Sequence, residues 1–207
     1  MGETITFQNV YTYGSNYYSL GVSGPIGYKG VTASLRGSVM DYNLGTPLKS
    51  TEPQGDSKEI SLSLNFPTIS YNNLTASFSF GASFNEYLNR TNSGVTSEKT
   101  NLKSNLDINL GLVDNFLGGG LNTLSLSFLH GEIDLGDNRS DLESDSTTAK
   151  TQGNYEKIGL NFSRTQILND RNSLFFSTNG QYGFKNLDSA EQISLGGVNN
   201  VRGFPNS

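Results

Sequence analysis

Few residues in this chain could do chemistry, and what is missing closes off most combinations. There is no cysteine, which removes disulfides, zinc thiolate sites and thiol nucleophiles. His130 is the only histidine, so neither a triad using a second imidazole nor a His-rich metal site can be built. It falls in register with Leu124, Leu126 and Phe128 near the end of their strand, which suits an interfacial or structural role. Asp134, Asp137, Asp141, Glu143 and Asp145 gather in one polar stretch. A calcium loop orders its ligands around a Gly at position six and a Glu at position twelve; this stretch lacks that order, and a solvated loop is expected. Gly118-Gly119-Gly120 is followed by no Lys-Ser/Thr pair and opens no helical pattern, so it is a tight turn rather than a phosphate cradle. The sequons at Asn73 and Asn161 are expected by chance, because the chain holds 24 Asn and 27 Ser. There remains Arg202. A guanidinium offers five donors in a fixed fork and keeps its charge, as a permanent carboxylate clamp requires, and Gly196, Gly197 and Gly203 let the backbone turn tightly around it. Residues 201–204 on their own fit a surface arginine equally well. No nucleophile, base and orienter come together, so the expectation is no enzyme, no metal and no cofactor.

The elements that would position these residues follow a period of two, the mark of β-strands. Leu74, Ala76, Phe78, Phe80, Ala82 and Phe84 share one face, with Thr75, Ser77, Ser79, Gly81, Ser83 and Asn85 between them. Leu102, Ser104, Leu106, Ile108, Leu110 and Leu112 repeat the pattern, as do Ile60, Leu62, Leu64 and Phe66. Weaker versions run near 4–13, 17–25, 31–41, 123–134, 155–167 and 173–185. That gives about nine strands and no sustained helical period: an all-β antiparallel chain. Only 34% of residues are hydrophobic and 16% charged, yet 22 are Phe or Tyr and the net charge is −5. Disorder calls for few aromatics and high net charge, and nucleic acid calls for a basic face; both are excluded.

Long polar connections are expected at 43–58, 90–100 and 136–153, alternating with short ones at 26–30, 67–73, 114–122 and 169–172. Short turns on one side and long loops on the other describe an outer-membrane barrel. The polar face is mostly Ser, Thr, Asn and Gly, with occasional charges such as Lys103 and Asp107. A water-filled lumen tolerates that mix, while lipid takes the Leu/Phe face. Several strands reach ten residues, near the ~9–11 needed to cross a bilayer. Tyr11, Tyr13, Tyr17, Tyr18, Tyr42, Tyr71, Tyr87 and Tyr155 stand near strand ends, where an aromatic girdle would lie. A β-solenoid adhesin would need a 20–30-residue repeat, which is absent.

The final fifty residues carry more specific information. The stretch Gly153-Asn-Tyr-Glu-Lys-Ile-Gly-Leu, then Asn186-Leu-Asp-Ser-Ala-Glu-Gln-Ile-Ser-Leu-Gly-Gly and Val201-Arg-Gly-Phe-Pro, strongly resembles the haemolysin secretion/activation family. Its members are the outer-membrane transporters of two-partner secretion (TpsB proteins), including those for filamentous haemagglutinin and contact-dependent inhibition toxins. Gly24-Pro-Ile-Gly-Tyr-Lys-Gly, Gly119-Gly-Leu-Asn and Leu129-His-Gly-Glu-Ile-Asp-Leu fit as well.

The resemblance implies a sixteen-stranded transmembrane β-barrel in the bacterial outer membrane, preceded by a plug helix and two periplasmic polypeptide-transport-associated (POTRA) domains. Residues 1–186 would supply about nine strands of it, the third to the eleventh. Residues 187–207 would begin an extracellular loop that folds into the lumen and carries Val201, Arg202, Gly203 and Phe204, with Gly196 and Gly197. Arg202 would hold an acidic residue on a later strand; Phe204 stands where the family most often has Tyr. On this reading the chain is an internal fragment, with the POTRA domains and C-terminal strands outside it. The implied function is passage of one large unfolded secreted protein (a TpsA-type cargo) to the cell surface, through a barrel seated in outer-membrane lipid and without nucleotide or nucleic acid. A general diffusion porin or the barrel of another secretion system is the alternative.

Overall fold

Strict alternation of Leu/Phe with Ser/Thr/Asn builds strands with one oily and one wet face, and the chain is nearly all such strands. The computed structural model describes residues 2–27, 29–43, 54–91, 94–136 and 139–193. The strands are β1 (Thr4–Thr12), β2 (Ser15–Ile26), β3 (Val31–Asn43), β4 (Gln54–Asn65), β5 (Ile69–Tyr71), β6 (Leu74–Thr91), β7 (Gly94–Asp114), β8 (Gly120–Asp134), β9 (Gly153–Asn169) and β10 (Asn172–Gly183). Nine of them form one antiparallel sheet in chain order, and three-residue β5 pairs with β6 beside this path. The nine long strands are those the alternation marks. β1 and β10 are the edges of the sheet among the described residues, and no helix there is long and apolar enough to cross a membrane.

Register lines the oily positions into continuous rows: Leu64 faces Phe80, which faces Leu106, then Phe128, Ile158 and Tyr182. These side chains are open to the surroundings; Phe80 and Leu106 are 45% and 42% exposed. A sheet with its apolar face uncovered has lipid as its solvent. On β6 the apolar row from Leu74 to Phe84 spans ten residue steps, about 33 Å along the strand and about 25 Å of height at a tilt of ~40°. That matches a membrane band.

Three expectations need correcting. First, the long connections are shorter: β4 begins at Gln54, β6 runs to Thr91 and β7 starts at Gly94. Strands beyond the bilayer meet water on both faces, so their composition loses its oily alternation and reads as loop. Cross-strand ion pairs hold this extension together, Arg90 to Asp56 at 2.8 Å and Lys58 to Glu86 at 3.5 Å. Second, the 136–153 stretch contains a helix, α1 (Arg139–Thr147). Its polarity hid it, because Leu142 is the helix's one apolar residue and a single residue imposes no period. Third, only part of the tyrosine girdle faces lipid. Tyr11, Tyr18 and Tyr71 share the apolar face, whereas Tyr17, Tyr42, Tyr87 and Tyr155 have inward parity. Tyr155 lies across Gly131 on the neighbouring strand, where an added Cβ would sit 2.5 Å from its ring. The missing side chain makes room for the inward ring.

The tight turn expected at Gly118–Gly120 is there. A 3₁₀ turn at Phe116–Gly118 is followed by Gly119, with positive φ at Leu117, Gly118 and Gly119. From β9, Gln166 donates to the carbonyls of Phe116 (3.1 Å), Leu117 (3.0 Å) and Gly119 (2.9 Å).

Candidate functional site

The lumenal face holds one dense polar cluster, built where the chain leaves β10 and turns back over the sheet. Odd-numbered residues of β7, β9 and β10 point inward, which puts Lys99, Asn101 and Lys103 on one side and Lys157 and Gln181 on the other. A 3₁₀ turn, Ser189–Glu191, drops onto them. Asp188 caps that turn by accepting from Ala190 N at 2.9 Å.

Glu191 is the centre. Its carboxylate lies 2.6 Å from Lys157 Nζ and 3.1 Å from Lys103 Nζ, and accepts a third bond from Asn101 Nδ2 at 2.9 Å. Its own carbonyl accepts from Gln181 Nε2 (2.7 Å) and Lys157 Nζ (2.9 Å). Asp188 pairs with Lys99 at 2.6 Å. The Glu191 side chain is only 4% exposed, its two lysines about a fifth. A carboxylate so withdrawn from water is tolerable only with opposite charge and full hydrogen bonding, and both are present. Tyr155 OH donates to Asn101 Oδ1 at 3.1 Å and so orients the amide that faces Glu191.

A small apolar core sits beside the ions. Ile133, Leu135 and Tyr155 are buried, with Leu187 and Leu142 of α1 packed against them. Lys185 and Asn186 tie the same segment to the loop after β8, donating to the carbonyls of Gln152 (2.5 Å) and Ala149 (2.8 Å). The arrangement is an anchor. It fixes the first turn after β10 against the inner wall by charge, hydrogen bonds and a wedge of leucine, and it places no nucleophile beside a base.

Of the residues singled out from sequence, Gly196, Gly197, Val201, Arg202, Gly203 and Phe204 lie outside the described residues. His130 stands at the edge of the apolar face, 3.5 Å from Glu156, consistent with an interfacial place. Of the acidic stretch, Asp134 ends β8 and Asp141, Glu143 and Asp145 lie on α1, while Asp137 falls outside the described residues; no group of three or more His, Cys, Asp or Glu suited to a metal occurs among the described residues. Within the stretch Asp145 accepts from Thr151 N (2.9 Å), Thr151 Oγ1 (2.7 Å) and Gln152 N (3.0 Å). Burial pushes this carboxyl up, but the bonds from Gln152 and Thr151 and the Lys185 charge outweigh that and leave it below the ordinary aspartate value. Glu191 and its lysines were missed as a site. Their available signal was three cations at inward positions of strands otherwise lined with Ser, Thr and Asn.

A lipid-facing antiparallel sheet with a polar inner face defines a transmembrane β-barrel. Comparison with known proteins agrees: the model of the family described as haemolysin secretion/activation protein ShlB/FhaC/HecB matches residues 3–207. The chain belongs to this family and is part of a bacterial outer-membrane β-barrel. It is 27% identical over 176 residues to the heme/hemopexin transporter protein HuxB of Haemophilus influenzae strain Rd, covering 84% of this chain and 30% of that protein. HuxB of strain 86-028NP is 28% identical over 177 residues, with the same coverage. Among solved structures, CdiB from Escherichia coli superposes with a TM-score of 0.73 at 22% identity, over 92% of this chain and 35% of that one. CdiB from Acinetobacter baumannii gives 0.60 at 19%, over 92% and 33%. The chain therefore spans about a third of the length of the proteins it matches.

Proposed function

We propose that this chain forms part of the wall of an outer-membrane pore that passes one large unfolded secreted protein to the cell surface by two-partner secretion. Residues 187–207 begin the extracellular loop that folds into the lumen, and Arg202 clamps that loop to an acidic residue on a later strand. The observation that carries this reading is the Glu191 anchor, which fastens the start of the loop to the inner wall. A simple diffusion pore has no need of that attachment at the base of the loop.

Transport on this reading is passive. The lumenal rows of Ser, Thr, Asn and Gly offer exchangeable hydrogen bonds without an apolar surface on which an unfolded chain would stick. Folding of the cargo outside supplies the direction. The test is secretion by the full-length transporter with its cargo. Arg202→Ala should abolish secretion while the barrel still inserts, and normal secretion by that variant would remove the assigned role. Small-solute conductance with no dependence on any secreted partner would favour a porin instead.

A further inference from the structure

The apolar band on the outer face is not of even height. Apolar side chains fill five of the six outward positions from Leu102 to Leu112 on β7 and four of the six from Leu174 to Phe184 along and just past β10. Between them, β8 and β9 carry only three each: Leu124, Leu126 and Phe128 opposite Phe162, Leu160 and Ile158. Polar groups close this short band at both ends. On the loop side His130 and Glu156 pair at 3.5 Å, with side chains 57% and 63% exposed on the lipid-facing surface. On the short-turn side Arg164 spans to Asp114 at 2.6 and 3.0 Å and to Asn122 at 2.6 Å.

The outward charges of β7, Glu98 and Asp114, are sixteen residues apart, whereas those of β9, Glu156 and Arg164, are eight apart. Eight steps are about 26 Å along a strand and about 20 Å of height at a ~40° tilt, against the ~25 Å of an ordinary barrel band. Tilt moves a band up or down from strand to strand; it does not shorten it. An apolar stretch shorter than the hydrocarbon is accommodated by thinning the bilayer beside it. A groove of about 370 Å³ lies next to the His130–Glu156 pair, bordered by Phe80, Leu106, Phe128 and Ile158, and Ser104 contributes no bulk to fill it.

We propose that the outer face of β8 and β9 is a waist that binds a locally thinned phospholipid bilayer, drawing the polar boundary inward on the loop side. These 207 residues contain no tryptophan, so with any tryptophan elsewhere in the transporter replaced by Phe, Phe128→Trp gives a lipid-facing reporter one row inside the upper boundary. The experiment places the full-length transporter carrying Phe128→Trp in liposomes of phospholipids brominated at graded depths, and compares it with the same variant combined with His130→Leu and Glu156→Leu. In the first, shallow bromines should quench the added fluorescence about twofold more than deep ones. In the second, the band gains an apolar row and the preference should reverse. His130→Asn with Glu156→Gln keeps the boundary polar and should keep the shallow profile, which separates the proposal from a general loss of structure. The same depth in all three backgrounds would overturn it. So would absence of quenching by any brominated lipid, since the waist would then be covered by protein.

Discussion

Replacing Glu191 by Gln preserves shape and removes one charge from the lumenal anchor. Wild-type Glu191 meets two ammonium groups and an amide at 2.6–3.1 Å, and its side chain is 4% exposed. A hydrogen bond to a charged group contributes ~1.5–3 kcal/mol, and leaving a buried charge without its partner costs ~3–5 kcal/mol. Lys103 and Lys157 retain about a fifth of their exposure, and the glutamine keeps its contact with Asn101, so the lower end applies. The anchored state should lose about 3 kcal/mol, a shift of roughly 150-fold toward release.

The assay is single-channel recording on the full-length transporter in planar bilayers, reading the fraction of time spent in the large-conductance state. If the wild type is open about one part in a thousand, Glu191→Gln should be open about one part in ten. Exchanging the charges, Glu191→Lys with Lys157→Glu, should recover much of the closed population, because the pair is re-formed on the same two backbones. An open fraction within threefold of wild type, in a variant whose barrel is intact, would refute the claim that this ion cluster holds the loop. Failure of the exchange to rescue a Glu191→Gln defect would refute the pairing itself.

Other perturbations probe the rest of the molecule. Arg164→Met leaves Asp114 without its bidentate partner at the turn after β7 and should lower the unfolding temperature of the full-length barrel in a heat-modifiability gel; an unchanged temperature would show the clamp is dispensable. Because the folded value of Asp145 lies below the ordinary aspartate value, its stabilising bonds are complete above the ordinary carboxylate range and fade as pH falls through the lower, folded value. Protease cutting of the loop after β8 should accordingly be equal at pH 7 and pH 5 and rise only below about pH 4, while Asp145→Asn should be cut faster already at pH 7. Gly131→Ala puts a methyl 2.5 Å from the Tyr155 ring, so it should displace Tyr155 from Asn101 and weaken the Glu191 anchor, read as a raised open fraction in the same recordings. Among the described residues the sheet has unpaired edges at β1 and β10, which hydrocarbon does not tolerate; the 207-residue chain by itself in liposomes should stay protease-sensitive, and a protected, heat-modifiable monomer would contradict the argument.

The parts of this structure that were legible in the sequence are those where one solvent acts on one face. Between Leu74 and Phe84 lipid selects every second residue, and the alternation announces both the strand and its membrane height. The facing strand β7 begins at Gly94, well before Leu102, but there water meets both faces, nothing selects for alternation, and that stretch reads as loop. Helix α1 is hidden for the same reason. The tyrosines divide because nearness to a strand end does not decide a face; the parity against Leu and Phe does, and it turns Tyr155 inward.

The Glu191 anchor was illegible for a different reason: its ion pairs and its bond to Asn101 join residues 34 to 90 positions apart, and no local rule connects them. Its trace is nevertheless in the composition of the wall. On β6 to β10 the charged residues at inward positions are Lys99, Lys103, Asp107 and Lys157. Three of these four are lysines, and all three are engaged by Asp188 or Glu191. A wall shaped only to let a polypeptide slide would use neutral hydroxyls and amides, as most other inward positions of β6 to β10 do, because fixed cations arrest every acidic residue that passes. The cations of β7 and β9, each already matched by a carboxylate of the chain's own next segment, are explained by holding that segment in place. The same matching keeps those cations from the cargo for as long as the anchor is closed, so Glu191→Gln tests both roles: besides opening the channel, it should slow passage of acidic stretches of cargo relative to neutral ones, and equal passage of both would leave the lysines with a purely structural part.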